Sequence, residues 1–489
     1  MSKLNKDILF LLFEELQSDS KSLFSCLLVN RLWCETAIPI LWKNPWNYDI
    51  NYKNKSYLFA IIAFYLPISI KEFLMRQGIN FPPILYQSLL FNYLSFCRGI
   101  NVTIINSIIP IGSSLKYNQF LLQQEFYNLL IKTCPELKYL DMKSINHQIF
   151  YFPEAKAHLE TLYELDCNTS DNPTYFYGLA RICQNIQRLV IINNTIKVNY
   201  GIAKLIEVQE SLKNFEWKDD FIDDYFVEDP YKETLLALEK KADTLNHLKV
   251  FFLYGFEHAY ELLKEVLPKL NKLKTLIIDE LFFFPLFAKN QLIYPYIEVL
   301  YVDFITINVV SSIIENSGGH LKEILLFKFY DYSFEENFNE DSLNFIRKIC
   351  EHCPLIEYLT LTFSPTKEHF TEFEKLLNVC QNLKLLILDM LDIDNIVTSG
   401  EILENGEELL KTLIRTAPAN LKEIRLFDYY KISLQVLEEF FKEWRGRPAL
   451  SILTNDTIYR GEDYMKLVNE YKSDGVIKDF RFVSRNEMY

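Results

Sequence analysis

The sequence predicts an α/β fold: a solenoid with parallel strands on a concave side and helices outside, behind a short N-terminal helical module. Three observations carry this. A short apolar phrase recurs eleven times between Leu137 and Leu421. Its copies are mostly 22–27 residues apart. The stretches between copies have the 3.6-residue period of amphipathic helices.

The phrase is leucine-like, two variable, leucine-like, one variable, leucine-like. Clear copies are LKYLDM (from Leu137), IQRLVI (Ile186), LKVFFL (Leu248), LKTLII (Leu273) and IEVLYV (Ile297). LKEILL (Leu321), IEYLTL (Ile356), LKLLIL (Leu383) and LKEIRL (Leu421) continue the series, and looser copies start at Leu159 and Leu212. This period is that of leucine-rich repeats, with insertions at the gaps of 35–38 residues. A strand and one amphipathic helix cannot bury their apolar faces alone, whereas stacked copies can.

Helical spacing is clearest at Phe370, Phe373, Leu377 and Cys380, and again at Leu343, Ile346, Cys350 and Cys353. Cys134, Cys183, Cys353 and Cys380 each stand three residues before a phrase. A small apolar thiol suits a tight buried turn, so these read as packing residues. All nine cysteines are expected as reduced thiols. CEHC at Cys350–Cys353 resembles half a zinc knuckle, but no second pair stands at metal-site spacing, so no metal is expected. Near the end of the array, strands are expected around Leu450–Leu453 and Ile477–Val483, flanking a helix near Glu462–Lys472 stopped by Gly475.

Ahead of the array, residues 1–43 read as a module of short helices, 44–120 as a helical connector, and 121–489 as the solenoid with its cap. In the first helix Leu4, Ile8, Leu9, Leu12, Phe13 and Leu16 form an apolar stripe. Ser18, Asp19 and Ser20 supply helix-capping residues, and Leu23, Cys26, Leu27, Val29 and Trp33 give a second stripe before Leu41-Trp42. About forty residues in short helices bury too little to stand alone, so the aromatic residues need a partner surface.

The order of Leu4, Asp7, Ile8, Leu9, Phe13 and Leu16, a serine-rich turn, then Leu23, Leu27, Val29, Arg31, Trp33, Leu41 and Trp42 resembles the F-box family. With the repeats behind it, the chain looks like an F-box protein with C-terminal leucine-rich repeats. Its Asn-, Ile- and aromatic-rich style is similar to a fungal subset. It departs at Asn5, where the family has Pro, and at Cys34, where a basic or polar residue is common. The resemblance implies a substrate-recognition subunit of a Skp–cullin–F-box ubiquitin ligase. The F-box would dock a Skp-type adaptor, joined to a cullin–RING ligase, and the repeats would hold an unknown substrate protein. The expected adaptor face is Leu4, Ile8, Leu9, Phe13, Leu27, Val29 and Trp33, with Leu9, Phe13, Leu27 and Trp33 at its centre. The alternative is a repeat scaffold acting outside a cullin ligase.

Catalytic chemistry is not expected, and neither is a cofactor. None of the seven histidines forms HExxH, and GxGxxG, GxxxxGK[ST] and GxSxG are absent. The formal charge is −14 with no basic block, which argues against nucleic acid and anionic membranes. The apolar runs Ile8–Phe13 and Leu58–Leu66 are too short for a secretory core or a membrane span, so a cytoplasmic or nuclear location is expected.

Two surfaces are candidates for substrate. On a strand the second and third leucine-like residues face the core, so the residue between them and the one after face the concave side. This gives Phe252 and Tyr254, Ile277 and Asp279, Tyr301 and Asp303, Leu325 and Phe327, Thr360 and Thr362, Ile387 and Asp389, Arg425 and Phe427. The expected substrate contacts are Phe252, Tyr254, Asp279, Tyr301, Asp303, Phe327, Asp389 and Arg425. Alternatively, the C-terminal strand or a loop fills the concavity. The second surface is the acidic, aromatic segment Lys218–Pro230, either a solvated insertion or a binding loop.

Overall fold

The structure is a computed structural model. It describes residues 5–46, 55–82, 89–195, 197–220, 228–252, 262–263, 265–279, 294–303, 306–327, 337–390, 399–427 and 431–483. The chain forms two compact units, Met1–Leu238 and Glu239–Tyr489.

The first unit opens with helices α1 (Lys6–Glu15), α2 (Ser20–Cys26) and α3 (Arg31–Leu41). Asp19 and Asn30 cap α2 and α3 by accepting the backbone N–H groups of Ser22 and Trp33. Asn5 makes no side-chain cap at α1. The three helices enclose Leu9, Phe13, Leu23, Cys26, Ala37, Ile40 and Leu41, with Trp33 edge-on to Phe13 at 5.3 Å. Helices α4 (Lys55–Phe64) and α5 (Ile68–Arg76) follow.

The sheet begins earlier than the repeat phrase announces. Strand β1 (Gly99–Asn101), within the segment read as connector, pairs with β2 (Tyr139–Asp141), placing Ile100 opposite Leu140. Cys97 thus occupies the anchor position that Leu137 holds in the next repeat. Helices α6 (Val102–Ile108) and α7 (Lys116–Thr133) lie between them, then α8 (Ala155–Leu159) and β3 (Glu164–Asn168). α9 (Pro173–Ala180), β4 (Arg188–Asn193), α10 (Tyr200–Val208) and β5 (Asn214–Asp219) complete the unit up to α11 (Lys232–Glu239). Strands β1 to β5 pair in parallel in chain order.

The second unit repeats the plan: β6 (His247–Phe251), β7 (Thr275–Asp279), β8 (Val299–Asp303), α12 (Ile307–Glu315), β9 (Glu323–Phe327) and α13 (Phe338–His352). Then come β10 (Tyr358–Phe363), α14 (Lys367–Val379), β11 (Leu385–Met390), α15 (Ser399–Thr416) and β12 (Glu423–Phe427). α16 (Leu434–Glu443), β13 (Leu450–Thr454), α17 (Glu462–Ser473) and β14 (Ile477–Phe482) close it, with left-handed Gly475 ending α17. Strands β6 to β14 also pair in parallel in chain order. This is the α/β repeat fold that the phrase predicts.

Two copies of the phrase are re-anchored. Leu165 lies opposite Leu140 and Leu189, which makes Leu162 rather than Leu159 the anchor of β3. Leu248 lies opposite Leu276, so the anchor of β6 is Leu245. The side-chain period of a strand is two, so a three-residue shift exchanges its faces.

Buried polar groups fasten the repeats to one another. The Cys183 thiol donates to the carbonyl of Leu159 at 3.2 Å, and Gln209 Nε2 to the carbonyl of Cys183 at 2.8 Å. In the second unit Cys380 points its thiol at the Cys353 carbonyl. At the end of β5, Asp219 accepts from Asn193 Nδ2, Trp217 Nε1 and Tyr231 Oη. Charges do the same at the strand entries. Lys274, Glu298, Lys322, Glu357 and Lys384 follow one another through backbone hydrogen bonds. Lys274 and Lys322 both reach Glu298 at 2.7 Å, and Lys384 pairs with Glu357. The two lysines hold the Glu298 carboxyl down to about 2.

Candidate protein interface

Helix α1 is apolar on two faces. Leu9 and Phe13, four residues apart, point into the three-helix core and are 1% and 2% exposed. Ile8, Leu11 and Leu12 form the other face and remain open, Leu11 at 63%. Phe10 and Phe24 are also exposed, and the turn before α3 adds Leu28 at 89% and Val29. The expected adaptor face is therefore corrected. Leu9 and Phe13 are core, Leu27 and Trp33 pack partly against that core, and Ile8 and Val29 are open. Leu4 lies outside the described residues. The sequence reading merged two stripes of one helix. The signal that separates them is that Leu11 and Leu28 fit neither capped-helix core stripe.

The sheet face away from the helical core differs between the units. In the first it is charged. Arg188 bridges Glu164 and Glu216, the latter at 2.8 Å, and Lys143 lies 3.7 Å from Asp141 and 3.6 Å from Asp166. Asn101 donates to Asp141 at 3.1 Å. Burial is the main force raising the Asp166 carboxyl to about 6, and neighbouring Asp141 and Glu164 push the same way. Sequence reasoning passed over this network because it read strand faces only from Leu248 onward.

In the second unit the expected substrate residues are not one open surface. Phe252 is buried: with the anchor at Leu245, it shares the core face of Leu248 and Val250, and Lys249 and Phe251 take the opposite face. Tyr254 lies outside the described residues. Asp279 and Asp303 stand directly opposite each other on β7 and β8, and Asp303 stands opposite Phe327. Tyr301 is half-buried and donates its hydroxyl to Glu323. Asp389 is buried between Thr362 and Phe427, themselves buried. Arg425 is half-buried and paired with Glu423 at 2.7 Å. Leu385, Ile387, Phe427 and Leu453 form a second apolar cluster, joined by Leu325, Tyr358 and Val483. The open wall expected at β10 to β12 is thus corrected. The second face of these strands is largely covered, fully at Thr360, Thr362, Ile387, Asp389 and Phe427, as in parallel sheets covered on both sides, and Val483 beyond the last strand takes part in the cover.

The acidic segment is partly structural. Asp219 is the buried strand-end acceptor described above, and Asp229 accepts the backbone N–H groups of Tyr231 and Lys232 at the start of α11. Residues 221–227 lie outside the described residues.

Among the described residues no three His, Cys, Asp or Glu side chains group as a metal site would, and no helix is long and apolar enough to cross a membrane. His369, the most buried of the described histidines, sits between Ser342 and Thr366, and burial pushes its imidazole down to about 4. That is a neutral core histidine fastening α13 to α14.

No protein-family model matches the chain, and no curated protein does. Among solved structures it is similar to one described as the Rad7 and Elc1 complex in yeast. The match has 14% identity and a TM-score of 0.40, covering 72% of this chain and 86% of that one. So loose an overlap transfers no residue roles.

Proposed function

We propose that this chain is a non-catalytic recognition subunit of a Skp–cullin–F-box ubiquitin ligase. Its first three helices dock a Skp-type adaptor and its repeats hold the protein to be modified. One observation carries the adaptor half. Ile8, Phe10, Leu11, Leu12, Phe24, Leu28 and Val29 are all exposed on a module whose own core is complete without them. An apolar patch this dense on so small a module marks an interface rather than ordinary surface scatter. The F-box resemblance names the adaptor class. Asp279, Tyr301 and Asp303 stay in the proposed substrate surface of the second unit. Buried Phe252 and Asp389 leave it.

The test is co-purification. The tagged chain should bring down a Skp-type adaptor and a cullin. The Leu11→Asp, Leu28→Asp double variant should lose both and keep its melting temperature. A wild-type chain that captures no adaptor would sink the reading. Capture of adaptor without cullin would assign the chain to a role outside the ligase.

A further inference from the structure

In the row of residues entering the strands of the second unit, charge alternates from Lys274 through Glu298, Lys322 and Glu357 to Lys384, and Lys422 follows Lys384. The corresponding row of the first unit does not alternate. Arg98 N–H donates to the carbonyl of Lys43 at 2.8 Å, and Lys138 N–H to that of Arg98 at 2.7 Å. Tyr163, Gln187 and Lys213 continue the row through the same bonds. Three successive cations therefore stand on adjacent rungs, about 4.8 Å apart, with no carboxylate in the row. Like charges placed side by side on a sheet are destabilising.

The same three residues line a cleft of about 450 Å³, together with Gln17, Asn44 and Tyr139, and no carboxylate lines it. Two acids pair with its lysines from the periphery, and Asp141, Glu164 and Asp166 act on Tyr139 at one side. Glu14 is 3.9 Å from Lys43, Glu136 is 3.5 Å from Lys138, and all four side chains are well exposed. Such pairs are worth little and leave the lysines free to re-aim. Arg98 is different. Its Nη1 is fixed by the carbonyls of Ser95 and Cys97, both at 3.0 Å, so its remaining donors are preorganised. One fixed guanidinium, two adaptable ammonium groups and an amide nearby match the oxygens of a compact polyanion. The volume falls within the range of small-molecule sites.

From this we infer that the cleft binds a small, free, multiply charged phosphate compound, which neutralises the three cations and ties the N-terminal helices to the first strands. The inference stands independently of the adaptor reading.

Inorganic pyrophosphate serves as the probe. Calorimetry on the full chain should show saturable binding at constant ionic strength, accompanied by a rise in melting temperature that sodium chloride does not reproduce. Lys43→Gln with Lys138→Gln should weaken binding at least tenfold, while the unliganded variant melts at the same temperature or higher because repulsion is relieved. Lys156→Gln, at an exposed lysine elsewhere in the unit, should bind as wild type does. No saturable binding at millimolar pyrophosphate would overturn the inference, and so would equal binding by wild type and the double variant.

Discussion

The thiol of Cys183 donates to the backbone carbonyl of Leu159, the residue at the equivalent position one repeat earlier. Cys380 repeats the contact on Cys353, and Gln209 repeats it with an amide on Cys183. The position three residues before each phrase is therefore a rung that satisfies a helix-end carbonyl of its neighbour, which explains why a weak donor recurs there. Burial pushes both Cys183 and Cys380 up to about 12, so neither thiol ionises near neutral pH.

That burial sets an order of reactivity. Iodoacetamide should label half-buried Cys34 and Cys350 of the native chain first, and Cys134, Cys183, Cys353 and Cys380 only on unfolding. Peptide mass spectrometry over a labelling time course checks this. Equal rates at Cys34 and Cys183 would contradict the assigned rung.

The two faces of α1 separate stability from binding. Leu9→Ala and Phe13→Ala each remove a buried side chain and should cost about 2–5 kcal/mol, read as a lower urea midpoint of the helical module. Leu11→Asp and Leu28→Asp should leave that midpoint unchanged and abolish adaptor capture. A pull-down that spares Leu11→Asp and Leu28→Asp would move the docking face elsewhere.

Asp219 holds three donors at once. Asp219→Ala removes the buried acceptor shared by the Asn193 amide, the Trp217 indole and the Tyr231 hydroxyl, and should cost about 3 kcal/mol at roughly 1 kcal/mol per hydrogen bond lost. Chemical denaturation measures the loss, and a red shift of tryptophan emission reports on Trp217 directly.

Asp166 and Asp171 should make stability depend on pH. Burial raises both carboxyls from an ordinary value of 3.8 to about 6. The folded chain then holds protons that the unfolded chain releases, so their contribution is greatest below pH 4 and is lost as pH rises toward 6. Asp166→Asn removes one of these groups and should raise the denaturation midpoint at pH 7.5 more than at pH 4. An equal effect at both pH values would show that Asp166 titrates normally.

Much of the fold was legible because core burial writes a strong period into sequence. Anchors such as Leu137, Ile186 and Leu383, and the cysteines before them, are buried where the phrase places them. Strand β1 was not legible, since Cys97 stands where the other copies carry an anchoring leucine or isoleucine, and Ile100 and Val102 alone do not mark a repeat. Faces were harder than elements. At Leu248 the apolar run Val250–Phe252 lets two registers fit the pattern, and only pairing with Leu276 decides between them. At α1, Leu9 and Leu11 are equally apolar, and which of them meets Phe13 and Trp33 depends on where α3 returns. The cover over β10 to β12 brings residues as distant in sequence as Leu325 and Val483 onto one cluster, which no local pattern encodes.

The alternating row Lys274, Glu298, Lys322, Glu357 and Lys384 gives this stretch of the array a parity. Excising the single repeat that carries Glu298 would set Lys274 beside Lys322, whereas excising Glu298 and Lys322 together would bring Lys274 against Glu357 and keep the signs opposed. Lengthening or shortening here is thus electrostatically tolerated in steps of two repeats, so the unit of duplication that this sequence can accept is the pair.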